Sequence, residues 1–276
     1  MPKVLNEWIG HEGLPPSQQE NMVVHVSGDS TIRIKRVDVE APWRWLEAGW
    51  QDLFQMPRLS IAYGAVFTLV ALGLLFGLSA IGMQSLILVL AGGFLLIGPI
   101  LAVGLYETAR RREAGEQINA NAIFMGFQAP GQLALLGLVL MFLFIAWVEL
   151  AFFMFALYFG GQAVPPLSEF IFNLITTWQG TTLLIFGTIV GGILAATAFT
   201  ISVLSAPMLA HRQVGIATAI LASVSAVWLN MRPMLLWASL ILLLMAISFA
   251  TLFVGLLVVF PWIGYATWHA YDEIAE

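Results

Sequence analysis

Three stretches of this chain carry almost no formal charge, and they constrain the fold more than any other feature. Residues 59–106 contain no Asp, Glu, Lys or Arg, residues 132–210 contain only Glu149 and Glu169, and residues 233–268 contain none. A helix crossing a bilayer needs about 20 apolar residues. The first stretch therefore holds two spans, near 59–79 and 84–106, turning at Gly82-Met83-Gln84-Ser85. The second also holds two, near 132–159 and 181–209, joined by Gly160-Gly161-Gln162-Ala163-Val164-Pro165-Pro166 and a short piece with Glu169 and Asn173. With 60% hydrophobic and 10% charged residues, a water-soluble globule is excluded, because soluble domains carry about 25% charge.

The expected fold class is an all-α membrane protein, a polytopic helical bundle of six transmembrane helices in three hairpin repeats with amphipathic interfacial helices. Three segments end in Pro before an apolar run, Ala48–Pro57, Ile123–Pro130 and Ala226–Pro233, each with an aromatic residue upstream. Proline at the first turn starts a helix without losing a bond, and the aromatic flanks suit a helix lying on the membrane surface. A second proline recurs late in each unit, at Pro99, Pro207 and Pro261. The units run about 42–112, 119–212 and 214–271, behind an N-terminal arm of residues 1–41. In the third unit, Pro233 to Tyr271 is 39 residues, or about 58 Å of helix. That length suits two short helices bending near Ala246–Thr251. The rival is one span to about Phe260 followed by an interfacial helix on the far side.

All 11 Lys and Arg fall outside the spans: six in residues 1–58, three in 107–131 and two in 211–232. The positive-inside rule then places the arm and the loops after Arg110-Arg111-Arg112 and Arg212 in the cytoplasm. The N-terminus is polar for more than 40 residues and does not read as a signal peptide. Residues 22–39 alternate apolar and polar around Ser27-Gly28-Asp29-Ser30, which suits a small hairpin or extended arm, with a flexible tail as the alternative.

The stretches Glu47-Ala48-Gly49-Trp50-Gln51-Asp52-Leu53, Gly98-Pro99-Ile100-Leu101-Ala102-Val103-Gly104-Leu105-Tyr106-Glu107 with Arg110-Arg111 and Gly115, and Phe260-Pro261-Trp262-Ile263-Gly264-Tyr265-Ala266-Thr267-Trp268-His269-Ala270-Tyr271 together resemble the bacterial integral-membrane family of unknown function DUF2189, over roughly residues 38–272. The family ending usually has His where this chain has Tyr265, which weakens a role for histidine there. Some members carry a loose label as cytochrome c oxidase subunit I. The resemblance implies a proteobacterial inner-membrane protein and no established activity.

Candidate chemistry is sparse. Glu149 lies midway along the third span, where a carboxylate is costly and marks either a functional site or a packing contact. Thr188, Thr197, Thr200 and Ser202 of the next span are its expected partners. His211 and His269 fall near helix ends. Two such imidazoles could ligate a b-type haem, but oxidase chemistry needs histidines within the spans, and interfacial roles suit these two better. Glu107 is expected to pair with an Arg. Arg110, Arg111 and Arg112 set topology or meet lipid head groups. Gly73/Gly77 and Gly187/Gly191 have the spacing of close helix contacts.

There is no cysteine, which excludes disulfides, thiolate metal sites and cysteine catalysis. Nucleotide-binding and hydrolase motifs are absent. No cofactor, metal, nucleic acid or catalytic activity is expected. The expected role is an accessory subunit, scaffold or assembly factor of a larger inner-membrane complex, such as a respiratory one, in contact with lipid and with partner subunits. The alternative is a small transporter or channel using Glu149.

Overall fold

The computed structural model describes residues 22–25, 31–118, 127–160 and 165–275. A short antiparallel hairpin, β1 (Met22–His25) and β2 (Thr31–Ile34), precedes α1 (Ala41–Gln55), α2 (Pro57–Ala80), α3 (Leu86–Leu101) and α4 (Val103–Glu113). Next come α5 (Pro130–Phe159), α6 (Leu167–Thr176), α7 (Trp178–Ser202) and α8 (Ser205–His211). The chain finishes with α9 (Ile216–Leu229), α10 (Met231–Ala250) and α11 (Leu256–Ile274). The expected hairpin is therefore present. The first half of the interfacial segment Ile123–Pro130 lies outside the described residues, as does much of the connector 160–166.

Among the described residues, five helices are long and apolar enough to cross a membrane: α2, α3 with α4, α5, α7 with α8, and α10. Helices suit these segments because lipid offers no partner to a backbone N–H or C=O, so each group must be satisfied within the segment. Pro57 and Pro130 sit in the first turns of α2 and α5, where their missing N–H costs nothing. The segment expected as the sixth span is α11, whose second half carries His269, Asp272 and Glu273. The turn before it, 251–255, falls just past the expected bend. Its residues Leu252 (φ 54°) and Phe253 (φ 66°) adopt left-handed backbone, a conformation that side chains with a Cβ disfavour.

The helices in each half of the bundle meet through small residues. α11 runs antiparallel to α1 and then along the first turns of α2. A Cβ on Gly49 would lie 2.6 Å from the Ala266 nitrogen, and one on Gly64 would collide with the carbonyl oxygen of Leu257. That carbonyl loses its helical donor because Pro261, four residues on, has no N–H. On the other side, α3, α5 and α7 pack together around Trp147. Its Nε1 donates to the Val89 carbonyl at 2.7 Å, and its ring lies against Gly92 and Gly191.

The densest burial is at the end of the bundle that carries the charges, not along the middle of the spans. Val103–Ala109 of α4, Ser205–Ala210 of α8 and Gly264–Trp268 of α11 are buried throughout, whereas the spans expose Leu69, Phe76, Phe142 and Ile193. The break between α7 and α8 falls where Pro207 leaves Val203 without its helical donor. α9 repairs the neighbouring backbone. Ser223 Oγ accepts from Leu204 N at 3.2 Å and donates to the Thr200 carbonyl at 2.8 Å.

The arm is fastened to the same end. Ile32 and Ile34 are buried. Lys35 N donates to the Ile274 carbonyl at 2.8 Å. Asn230, buried between α9 and α10, accepts from Val37 N at 2.8 Å and donates to the Lys35 carbonyl at 3.0 Å.

Candidate functional site

At the charged end, Asp52, Arg112, Glu113 and His269 form an ionic cluster joining α1, α4 and α11. Asp52 lies on the buried stripe of α1 with Trp45 and Gly49 and is fully buried. Such a carboxylate is tolerated only when paired and hydrogen-bonded. Arg112 Nη2 of α4 approaches Asp52 Oδ1 at 2.6 Å, and Arg112 Nη1 donates to Gln55 Oε1 at 2.6 Å. On the other side, His269 Nε2 of α11 lies 3.0 Å from Asp52 Oδ2. The second imidazole nitrogen, Nδ1, lies 3.2 Å from Glu113 Oε1. Trp268 Nε1 donates to Glu113 Oε2 at 2.8 Å.

An imidazole held between two carboxylates binds its second proton firmly. Burial opposes the charge on His269, but the hydrogen bonds to Asp52 and Glu113 outweigh it and push the group up to about 9. Asp272, one turn away, is raised above the ordinary carboxylate range, by burial first and then by Glu113. The arrangement can hold a proton and clasp three helices.

A second ionic group adjoins it. Glu107, 1% exposed, is gripped by Arg110 Nε at 2.9 Å and Arg111 Nε at 2.6 Å. Glu116 adds a further carboxylate to Arg110 at 2.7 Å. The expected pairing of Glu107 with an Arg is what the structure shows, and each of Arg110, Arg111 and Arg112 is already engaged by a carboxylate of the chain. At the arm, Arg44 bridges Asp38 at 3.0 Å and Glu273 at 2.7 Å, and its hydrogen bond holds Asp38 below the usual carboxylate range. Trp45 Nε1 also donates to Glu273, at 2.6 Å.

The two histidines singled out in the sequence have separate surroundings. His211 Nδ1 lies 3.2 Å from the Tyr271 hydroxyl, and its ring meets Trp268 edge-on. Both ring nitrogens of His269 face carboxylates. His11 lies outside the described residues. Tyr265, where the resembled family has His, exchanges a 3.1 Å hydrogen bond with Ser60.

Glu149 departs from expectation. It is exposed on α5, and among the described residues it makes no hydrogen bond or ion pair. Its expected partners turn inward on their own helix: Thr188 donates to the Leu184 carbonyl at 2.7 Å, Thr197 to Ile193 at 2.8 Å and Ser202 to Ala198 at 2.5 Å. The reason is helical phase. Glu149 lies in register with Leu138, Phe142, Ile145 and Phe152, all exposed, while the opposite face, bearing Phe144 and Trp147, meets α3 and α7. The glycine pairs differ too. A Cβ on Gly73, Gly77 or Gly187 would meet nothing within 4 Å, so these positions make no close helix contact within the chain.

Asp52, Glu113 and Asn230 were not legible as site residues. Only Asp52 left a signal, an acidic residue on the apolar stripe of an amphipathic helix.

The fold and its ionic clasp define a polytopic helical integral membrane protein. Residues 86–211 match the family model described as "Predicted integral membrane protein (DUF2189)", the family its motifs resemble. The match takes in Gly98–Glu107 with Arg110-Arg111 and Gly115. The entry segment Glu47–Leu53 and the ending Phe260–Tyr271 lie outside it. Comparison with curated proteins and with solved structures gives no match.

Proposed function

We propose that this chain is a non-catalytic subunit, scaffold or assembly factor of a larger complex in the bacterial inner membrane, with its arm and charged end in the cytoplasm. The observation that carries the reading is the outward stripe of α5. Glu149 lies 19 residues, or about 28 Å, along that helix, inside the hydrocarbon layer. Acidic and basic residues at the centre of a span cost about 2.5–3.5 kcal/mol to insert. A hydrogen-bonding group on a neighbouring subunit offsets that cost, and a lipid tail does not. The flanking Phe142, Ile145 and Phe152 supply apolar contact on either side. At the charged end, Arg44, Asp52, Arg112, Glu113, His269 and Glu273 tie neighbouring helices together, which suits a scaffold. A transporter reading would place Glu149 in a cavity, and among the described residues Glu149 lines neither the cavity between α3, α5, α7 and α10 nor the smaller one beside Pro99 and Phe260.

The test is tagged purification from native membranes in a mild detergent, with the co-purifying proteins identified by mass spectrometry. Wild-type protein is expected to bring stoichiometric membrane partners. Glu149→Leu should lose them while keeping its thermal stability, and Glu149→Gln should keep part of the association. Recovery of the chain alone or only as a homo-oligomer, or full partner retention by Glu149→Leu, contradicts the reading.

A further inference from the structure

Between α3, α5, α7 and α10 lies a chamber of about 940 Å³. Along α7 it extends from Leu183 to Thr200, 17 residues or about 26 Å. Gly187, Gly191 and Ala195 recur every fourth residue on the chamber side of α7 and make room for it. The Gly187/Gly191 pair, read from sequence as a helix contact, instead lines this hollow, with Trp147 closing over Gly191. Its walls are apolar apart from a few hydroxyls, and Ser85, Thr188 and Ser239 already donate to backbone carbonyls. Trp228 and Met231 mark the end nearest the charges. The next residue, Arg232, is exposed and has no ion pair or hydrogen bond among the described residues. It differs in this from Arg110, Arg111 and Arg112.

The apolar walls and the unpaired Arg232 at one end suit an apolar molecule with an anionic head. Small-molecule pockets run to about 300–1,000 Å³, and the chamber lies at the upper end of that range. We propose that the chamber holds the acyl tails of one anionic glycerophospholipid, whose phosphate meets Arg232 beside Trp228. The tails lie along the glycine side of α7. The head group sits at the level where Trp and Arg favour the interface.

The test is native mass spectrometry of purified, delipidated protein titrated with dipalmitoyl phosphatidylglycerol or dipalmitoyl phosphatidylethanolamine. Wild-type protein should retain one phosphatidylglycerol per chain, preferred about fivefold over phosphatidylethanolamine, the ratio that corresponds to about 1 kcal/mol for one interfacial cation. Gly187→Leu, whose side chain enters the chamber without meeting any atom at its Cβ, should lose the lipid at unchanged melting temperature. Ala238→Phe, from the α10 wall, should do the same. Gly73→Leu, on the outside of α2, should bind like wild type. Arg232→Gln should keep the lipid and lose the preference. Undiminished retention by Gly187→Leu and Ala238→Phe overturns the proposal, as does a wild-type protein that retains no lipid. A preference that survives in Arg232→Gln overturns the head-group assignment.

Discussion

Raising the pH should loosen the clasp at His269. The imidazole lies between Asp52 of α1 and Glu113 of α4, with Arg112 of α4 and Asp272 of its own helix nearby. Its folded pKa of about 9 exceeds the unfolded value of 6.5. Stabilisation from its charge is therefore fully present below about pH 6.5 and is lost as pH rises through about 9. At 1.36 kcal/mol per pH unit the difference corresponds to at most about 3 kcal/mol. Water reaches the imidazole edge, 15% exposed, and screening lowers the figure to about 2 kcal/mol. The assay is thermal unfolding in detergent between pH 6 and pH 10, for wild type, His269→Gln, Asp52→Asn and the double variant. Wild-type stability should fall by about 2 kcal/mol across that range, and His269→Gln should show a much flatter profile. At pH 6 the double-variant cycle should show a coupling of about 1–3 kcal/mol. Parallel pH profiles in wild type and His269→Gln, or a coupling near zero, would refute the reasoning.

Two further perturbations follow from the packing. Gly64→Ala places a methyl group against the Leu257 carbonyl and should cost about 1–3 kcal/mol as overpacking, whereas Gly73→Ala, which meets nothing within 4 Å, should leave the melting temperature equal or higher. Asn230→Ala removes the bonds to Val37 and Lys35, at about 1–3 kcal/mol for the buried groups left unpaired. Tryptic cleavage at Arg33 and Arg36 should then quicken while the bundle stays intact.

The first four spans were legible because hydrocarbon excludes charge, so the charge-free stretches mark α2, α3, α5 and α7 to within a few residues at most of their ends. Proline at a first turn marked the starts of α2 and α5 for the same local reason. The pairing of Glu107 with its arginines followed from spacing along a single helix, three and four residues apart. What the sequence hid is which face of each span looks inward. In water, an apolar stripe opposite a polar one reveals helix phase. In lipid both faces are apolar, so Glu149 gave no sign of pointing outward, and Gly187 and Gly191 looked like a helix contact when they line a chamber. The clasp was hidden for another reason. Asp52, Glu113 and His269 are far apart in sequence, and only the close approach of α1 to α11 at Gly49 brings them together.

The outward face of α5 is the central claim, and photo-crosslinking in native membranes tests it most directly. A photoreactive residue at Ile145, one turn from Glu149, should give a discrete adduct with another membrane protein. The same probe at Val66, equally exposed on α2, should give only lipid adducts. Lipid adducts alone from Ile145, or the same protein adduct from both positions, would contradict the assignment of this face to a partner.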